Sequence, residues 1–247
     1  ADITRRFEDV GGTGIDVHKG QLYFSSETQV YRTSFRTDAI IPNLPAQVVV
    51  RGFPKQGPHA AKSFTIDKDG ALYVNAGAPS NACQKQTRTP GSPGLRPCPQ
   101  LKWTASIWRF AASRLNQEFK RDGIQFARGV RNAVALDWNP FTRKVYLVQH
   151  GRDQLHQLFP KYYTVEQSAE LPAEEFHALS QGANLGWPYT YYDHLQGKRM
   201  HAPEYGGDGK RTTTGDRYQD PLIGFPGHWA PNDLHFYRGT QFPAHYR

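Results

Sequence analysis

The chain of 247 residues holds only two cysteines and one methionine, and no apolar run approaches the ~20 residues that a bilayer-crossing helix needs. No segment of it can serve as a transmembrane helix. The first ten residues, ADITRRFEDV, contain no apolar core of the signal-peptide kind, which is uninformative for a mature product or a fragment. Charge is not clustered: 30 Lys and Arg against 22 Asp and Glu give a formal net charge of +8, yet no block of about five or six like charges occurs. That argues for a generally basic, solvated surface and against a nucleic-acid-binding arm. Two cysteines without further ligands at the usual spacing do not make a zinc site. G-x-S-x-G, P-loop, G-x-G-x-x-G and H-E-x-x-H patterns are all missing, which removes the common signatures of serine hydrolases, nucleotide-binding folds and zincins.

Turn residues and aromatics are what the chain does have. With 23 Gly, 18 Pro and 13% aromatics in a polar background, long helices have little room, and short half-buried strands joined by loops are expected. A unit recurs along the sequence. Gly14-Ile15-Asp16-Val17 leads through Lys19-Gly20 into Gln21-Leu22-Tyr23-Phe24 and then Gln29-Val30-Tyr31-Arg32. Ser63-Phe64-Thr65-Ile66 leads through Asp69-Gly70 into Ala71-Leu72-Tyr73-Val74 and later Ser106-Ile107-Trp108-Arg109-Phe110. Ala133-Val134-Ala135-Leu136 turns at Asn139-Pro140 into Lys144-Val145-Tyr146-Leu147-Val148, and a fourth unit opens over 232–236. Apolar residues at period two, a Gly or Pro turn and a Tyr- or Phe-centred strand make each unit a hairpin. Repeats of this kind point to an all-β chain, a β-propeller with about four blades present. A β-sandwich is the alternative, though its turns should come every 8–12 residues without long insertions. Three or four units do not close a six-bladed ring, so residues 1–247 read as a single, partial propeller domain, incomplete at both ends.

A Pro/Gly-rich insertion at about 78–104 contains both cysteines. A Cys83–Cys98 disulfide would stabilise it by ~3 kcal/mol in the chain-entropy model; two free thiols are the alternative. Helical turns are expected around 112–116 and 168–179, the second placing Glu174 and Glu175 at a loop–helix junction after Pro172.

Several residues could do chemistry. His59, just before the second unit's first strand, is placed for a general base at the mouth of a central channel, although a histidine in a loop more commonly caps a strand end. Arg131-Asn132 occupies the same place in the third unit and offers a guanidinium fork plus an amide. His150-Gly151-Arg152-Asp153 follows a strand, where glycine lets successive carbonyls turn toward one point, as Ca²⁺ sites use. Glu174 and Glu175 are adjacent carboxylates that suit Ca²⁺ or mere solvation, with no EF-hand pattern around them. Trp187, Tyr189, Tyr191 and Tyr192 could stack on a sugar or planar cofactor, or simply pack.

In this order, Arg131-Asn132, His150-Gly151, Glu174-Glu175-Phe176 and Gly182-Ala183-Asn184-Leu185-Gly186-Trp187-Pro188 resemble the soluble pyrroloquinoline-quinone (PQQ) dependent sugar dehydrogenases of the glucose and sorbosone dehydrogenase type. The segment from His59 to Val74, H-A-A-K-S-F-T-I-D-K-D-G-A-L-Y-V, is similar to that family's His-containing strand, and the resemblance runs from about residue 11 to the end. It implies a six-bladed propeller with PQQ across the channel, one Ca²⁺ on the cofactor and others nearby. His59 would take the sugar hydroxyl proton while hydride leaves C1 for the quinone, whose oxygen Ca²⁺ polarises. Arg131 and Asn132, beside His150, would hold the cofactor's polar edge. The carbonyls of Gly151 and Arg152 fall on the positions that ligate the cofactor's Ca²⁺. Glu174, Glu175 and the Leu185 carbonyl fall on structural calcium positions, with Asp193 a further candidate out of register. Partners would be an aldose or related sugar or aldehyde and an electron acceptor, a quinone or haem protein, in a periplasmic or secreted setting.

The chain departs from the family pattern in places. Pro58 stands where an acid commonly precedes the histidine, and Ile223 stands near the position of a quinone-contacting lysine. The late arginines that neutralise PQQ carboxylates would fall beyond Arg247, and a first blade before Ala1. A non-catalytic propeller that binds carbohydrate or protein is therefore the competing reading. A metal-dependent hydrolase or lactonase would need several channel carboxylates, which the sequence does not offer.

Overall fold

Lys19 and Gly20 have φ of 47° and 72°, the left-handed pair that a two-residue hairpin turn requires. They fold β1 (Ile15–His18) back onto β2 (Gln21–Ser25), and β3 (Gln29–Ser34) and β4 (Gln47–Arg51) continue the meander. The computed structural model describes residues 12–35, 45–213, 215–243 and 245. The second unit begins with β5 (Phe64–Ile66) and β6 (Ala71–Ala76). Its turn is held by Asp67 Oδ1, which accepts from the amides of Asp69 (3.0 Å) and Ala71 (2.8 Å). Then come β7 (Ser106–Ala111), the two-residue β8 (Gln117–Glu118) and β9 (Ile124–Arg128). The third unit has β10 (Ala135–Asn139), β11 (Lys144–Gln149) and β12 (Glu174–Leu179), and after β13 (Ala183–Asn184) and the β14 (Thr190–Asp193)–β15 (Lys198–His201) hairpin it is completed by β16 (Ile223–Phe225).

Three antiparallel meanders result: β1-β2-β3-β4, β5-β6-β7-β9 and β10-β11-β12-β16. The first two have their outer edge covered by a short parallel strand, β8 on β4 and β13 on β9. Each covering strand comes from the chain that serves the next sheet, so neighbouring sheets are tied and an open edge is removed. The first strands meet at the centre, β5 beside both β1 and β10. They surround a channel of about 410 Å³ lined by Gly14, Ser63, Thr65, Leu136 and Asp137. Sheets that meet at their first strands are blade-like, not the two stacked layers of a sandwich. The expected fourth unit forms no strand among the described residues. Residues 232–235 line the same channel without forming a strand, and the Phe236 amide donates to Asp137 Oδ2 at 2.9 Å.

Both faces of the second sheet are buried, which explains its nearly unbroken apolar strands. Leu72, Val74, Trp108 and Phe110 face the first sheet with Val30, Val50, Phe53 and Phe119. Tyr73, Ile107 and Phe126 face the third with Leu136, Val145, Leu147 and Leu185. Phe119 is fully buried, with ring centroids 4.7 Å from Phe53 and 4.8 Å from Trp108. Phe119→Ala is expected to cost ~3–5 kcal/mol, read as a fall in the urea midpoint with an unchanged slope.

Two local expectations are corrected. Residues 112–116 are not helical; the helix lies at Phe119–Asp122. The buried Gln117 amide bonds the Ala111 N–H and the carbonyls of Ala111, Arg114 and Val49, so the loop needs no helical turn to satisfy its backbone. Another helix, Val165–Glu170, starts at a Thr164–Gln167 capping box and stops before Pro172. Glu174 and Glu175 therefore lie in β12, where Glu175 pairs with Gln149 of β11. Cys83 and Cys98 are joined in a disulfide within the segment between β6 and β7. Among the described residues no helix is long and apolar enough to cross a membrane.

Candidate functional site

Antiparallel order puts the starts of β5, β10 and β12 and the ends of β6 and β11 on one rim. His59, Gly77-Ala78, Arg131-Asn132, His150–Asp153 and Glu174 occupy these five places, so residues up to 115 positions apart share one end of the channel. Two equivalent bonds lace the rim together: Ala78 N–H to the Arg131 carbonyl (2.7 Å) and His150 N–H to the Asn132 carbonyl (2.8 Å).

His59 has φ of 57°, and the Gln56 amide fixes its backbone by donating to the carbonyls of Pro58, His59 and Gly77 at 3.1, 3.0 and 2.8 Å. Its Nδ1 lies 2.6 Å from the Ala78 carbonyl oxygen. A carbonyl can only accept, so the ring proton sits on Nδ1 and Nε2 keeps its lone pair. Burial, reinforced by the charge on Arg131, pushes the imidazole pKa down to about 4. The ring is thus neutral at pH 7 and oriented by a carbonyl. Gly77 must be glycine, because a Cβ there would meet Asn132 Oδ1 and His59 Cβ, each at 2.7 Å.

Arg131 is 4% exposed. Its Nη2 donates to Asn81 Oδ1 and Asp153 Oδ2, both at 3.0 Å, and its Nε donates to the Asn81 carbonyl at 3.3 Å. Burial lowers its pKa to about 10, which leaves it charged at neutral pH. Asp153 is also held by Arg88 at 2.7 Å. Burial works against ionisation of this carboxyl, but the two arginines outweigh it and the pKa is lowered. Asn132 accepts at Oδ1 from Asn75 (3.0 Å). His150 Nε2 is 2.9 Å from the Pro231 carbonyl, which commits the ring. The Arg152 side chain turns inward, its Nη1 lying 2.7 and 2.9 Å from the two Glu204 oxygens. Among the described residues its Nη2 and Thr190 Oγ1 have no partner, beside a cavity of about 20 Å³, enough for one water.

The expected metal-binding carboxylates, Glu174, Glu175 and Asp193, do not converge on one point. Adjacent residues of a strand face opposite ways, and Glu174 and Glu175 do so. Glu174 accepts from the amides of Gly151 (3.1 Å) and His228 (2.9 Å). Glu175 meets Arg199 (2.7 Å) and His177 (3.0 Å). Asp193 caps the β14–β15 turn by accepting from the Gln196 amide and side chain. Among the described residues no group of three or more His, Cys, Asp or Glu side chains could hold a metal ion.

Sequence reasoning missed Asn81 as an organiser. Besides Arg131 it holds Asp153, through the Asp153 amide (2.9 Å) and carbonyl (2.9 Å), and its own carbonyl accepts from Trp187 Nε1 (3.0 Å). The Gly-Trp-Pro turn thereby locks the disulfide-bearing insertion onto Arg131. Gln56 and the Ala78 carbonyl were equally invisible, since only long-range folding brings them to His59.

A family model described as TrAA12-like matches residues 8–244. The chain belongs to the TrAA12-like family. This membership fits the resemblance to soluble PQQ sugar dehydrogenases. The fold of the TrAA12-like chain is similar to the PQQ domain of a Coprinopsis cinerea pyranose dehydrogenase (TM-score 0.71, 17% identity, 97% of this chain and 60% of that one). It is also similar to a Trichoderma reesei carbohydrate-active enzyme of family AA12 (0.64, 17%, 89% and 57%). A soluble aldose sugar dehydrogenase of Escherichia coli matches at a TM-score of 0.53 and 16% identity, over 93% of this chain and 57% of that one. An uncharacterized protein of Borreliella burgdorferi is 23% identical over 244 residues, 94% of this chain and 54% of its own length. The chain thus spans little more than half the length of these relatives.

By their chemistry alone, the residues present suit an anionic cofactor with a bound cation. Arg131 supplies a buried cation, and His59 a neutral imidazole. The carbonyls of Gly151 and Arg152 accept no hydrogen bond among the described residues, which leaves two hard oxygens for a cation.

Proposed function

We propose that this chain is part of a PQQ- and Ca²⁺-dependent oxidoreductase that oxidises an aldose or related sugar or aldehyde at C1, with His59 as the general base. The observation that carries the reading is the His59 ring, its proton fixed on Nδ1 by the Ala78 carbonyl so that Nε2 is left as the acceptor. Such a ring is neutral at pH 7 and accepts a hydroxyl proton at Nε2. PQQ, when bound, supplies a two-electron acceptor. Arg131 and Asn132 would hold its polar edge, and the Gly151 and Arg152 carbonyls its Ca²⁺. In the complete protein these residues would belong to one six-bladed propeller domain. Its electron acceptor would be a quinone or haem protein. The disulfide supports a periplasmic or secreted setting, because such bonds persist in oxidising compartments.

One observation favours a non-catalytic propeller: Arg131 already has Asp153 as its counter-ion. Titration of the complete protein with PQQ and Ca²⁺ separates the readings. Saturable quenching of tryptophan fluorescence together with sugar-dependent dye reduction is expected. Absence of quenching would leave carbohydrate or protein binding as the function, and quenching without turnover on a broad aldose panel would remove the sugar oxidation.

A further inference from the structure

We propose that Arg199 is a built-in cation that takes the place of a structural calcium ion on the third sheet. Its guanidinium, with 3% side-chain exposure, gathers four oxygens from three separate parts of the chain. Nη2 donates to Glu175 Oε2 at 2.7 Å and to the Gln219 carbonyl at 2.9 Å, Nη1 to the Leu185 carbonyl at 2.9 Å, and Nε to Asp220 Oδ1 at 3.0 Å. Two carboxylates and two carbonyls form the donor set a hard divalent cation would take. Glu175 and Leu185 are also two of the positions on which the sugar-dehydrogenase reading places structural calcium, and the proposal rests on that reading for this assignment alone.

The same oxygens cannot serve both ions. Calcium draws its ligands to 2.3–2.6 Å of one point, whereas here each oxygen takes an N–H of a planar fork that spreads them around its rim. The surroundings are shaped for the fork. Gly186, with φ of 95°, opens the Gly-Trp-Pro turn where a Cβ would lie 3.2 Å from Arg199 Nη1 and 2.0 Å from Thr190 Oγ1. Tyr192 covers the guanidinium carbon, with its ring centroid at 5.7 Å. The strand faces agree, since Glu174 on the opposite side of β12 bonds only backbone amides among the described residues.

The test uses neither PQQ nor sugar, so its outcome is independent of whether the protein is an oxidoreductase. The full chain is stripped of metal, and Tm is measured in EDTA and in 10-fold steps of CaCl₂ for the wild type and for Glu175→Gln, Arg199→Ala and Arg199→Lys. The wild type is expected to show no calcium-induced rise in Tm that Glu175→Gln removes. Arg199→Ala is expected to melt lower in EDTA and to regain ~5 °C or more with calcium, as ligand binding to the native state alone requires. Arg199→Lys keeps a cation there and is expected to stay calcium-indifferent. A wild-type rise of ~5 °C or more that Glu175→Gln abolishes overturns the proposal, whether or not the alanine variant folds.

Discussion

Replacing His59 with alanine in the complete protein, loaded with PQQ and Ca²⁺, is expected to lower kcat/KM for the aldose by ~10²–10⁴-fold while leaving PQQ quenching intact. The size follows from what the ring does. In the proposed reaction it would act only through Nε2, since Nδ1 is engaged by Ala78 at 2.6 Å. Its removal therefore deletes a proton acceptor without deleting the cationic partner, Arg131. The sign of the pH dependence is fixed by the same environment. Burial and the Arg131 charge hold the His59 pKa down to about 4 against an ordinary 6.5, so the base stays unprotonated through the mildly acidic range. An NMR titration of the His59 ring in the cofactor-free chain is expected to give a midpoint near pH 4. A midpoint near 6.5 would mean that the ring is solvated and that its low affinity for protons is not built by the fold. The lowered value also bears on stability: the unfolded chain takes up this proton first as pH falls from 6.5 towards 4, so the His59 contribution becomes less favourable over that window.

The second large effect is expected at Glu204→Ala, with a loss of ~3–5 kcal/mol in chemical denaturation. The Arg152 and Glu204 side chains are 4% and 0% exposed and lie 2.7 Å apart. Removing the carboxylate strands a buried guanidinium whose Nη2 already has no partner among the described residues. The double variant Arg152→Met/Glu204→Leu is expected to recover most of the loss, because replacing both ions spares their desolvation. Because the expected cofactor role of Arg152 resides in its backbone carbonyl, the double variant also separates that role from the ion pair. Quenching by PQQ is expected to survive in it.

Much of the fold was legible. Period-two apolar patterns and Gly or Pro turns marked the first hairpin of each of the three meanders, because both signals act within a few residues. The rim positions of His59, Arg131-Asn132 and His150–Arg152 were legible for the same reason: each abuts a strand end that the pattern marks. The carboxylates were not. Glu174 and Glu175 read alike as neighbours on a helix or loop, but the pairing of Glu175 with Gln149 in β12 sends them to opposite faces. Their partners, the Gly151 amide on one side and Arg199 on the other, come from distant segments.

By itself the sequence determined an all-β chain of repeated hairpins, its family resemblance, the disulfide-sized insertion and the residue types at one end of a channel. Tertiary structure alone decided the charge state and tautomer of His59, the engagement of Arg131 by Asn81 and Asp153, and the occupation of the Glu175–Leu185 oxygens by a guanidinium. The division has a physical cause. Strand periodicity and turn chemistry are local, whereas burial, ion pairing and hydrogen-bond competition depend on groups that only the packed sheets bring within 3 Å of one another.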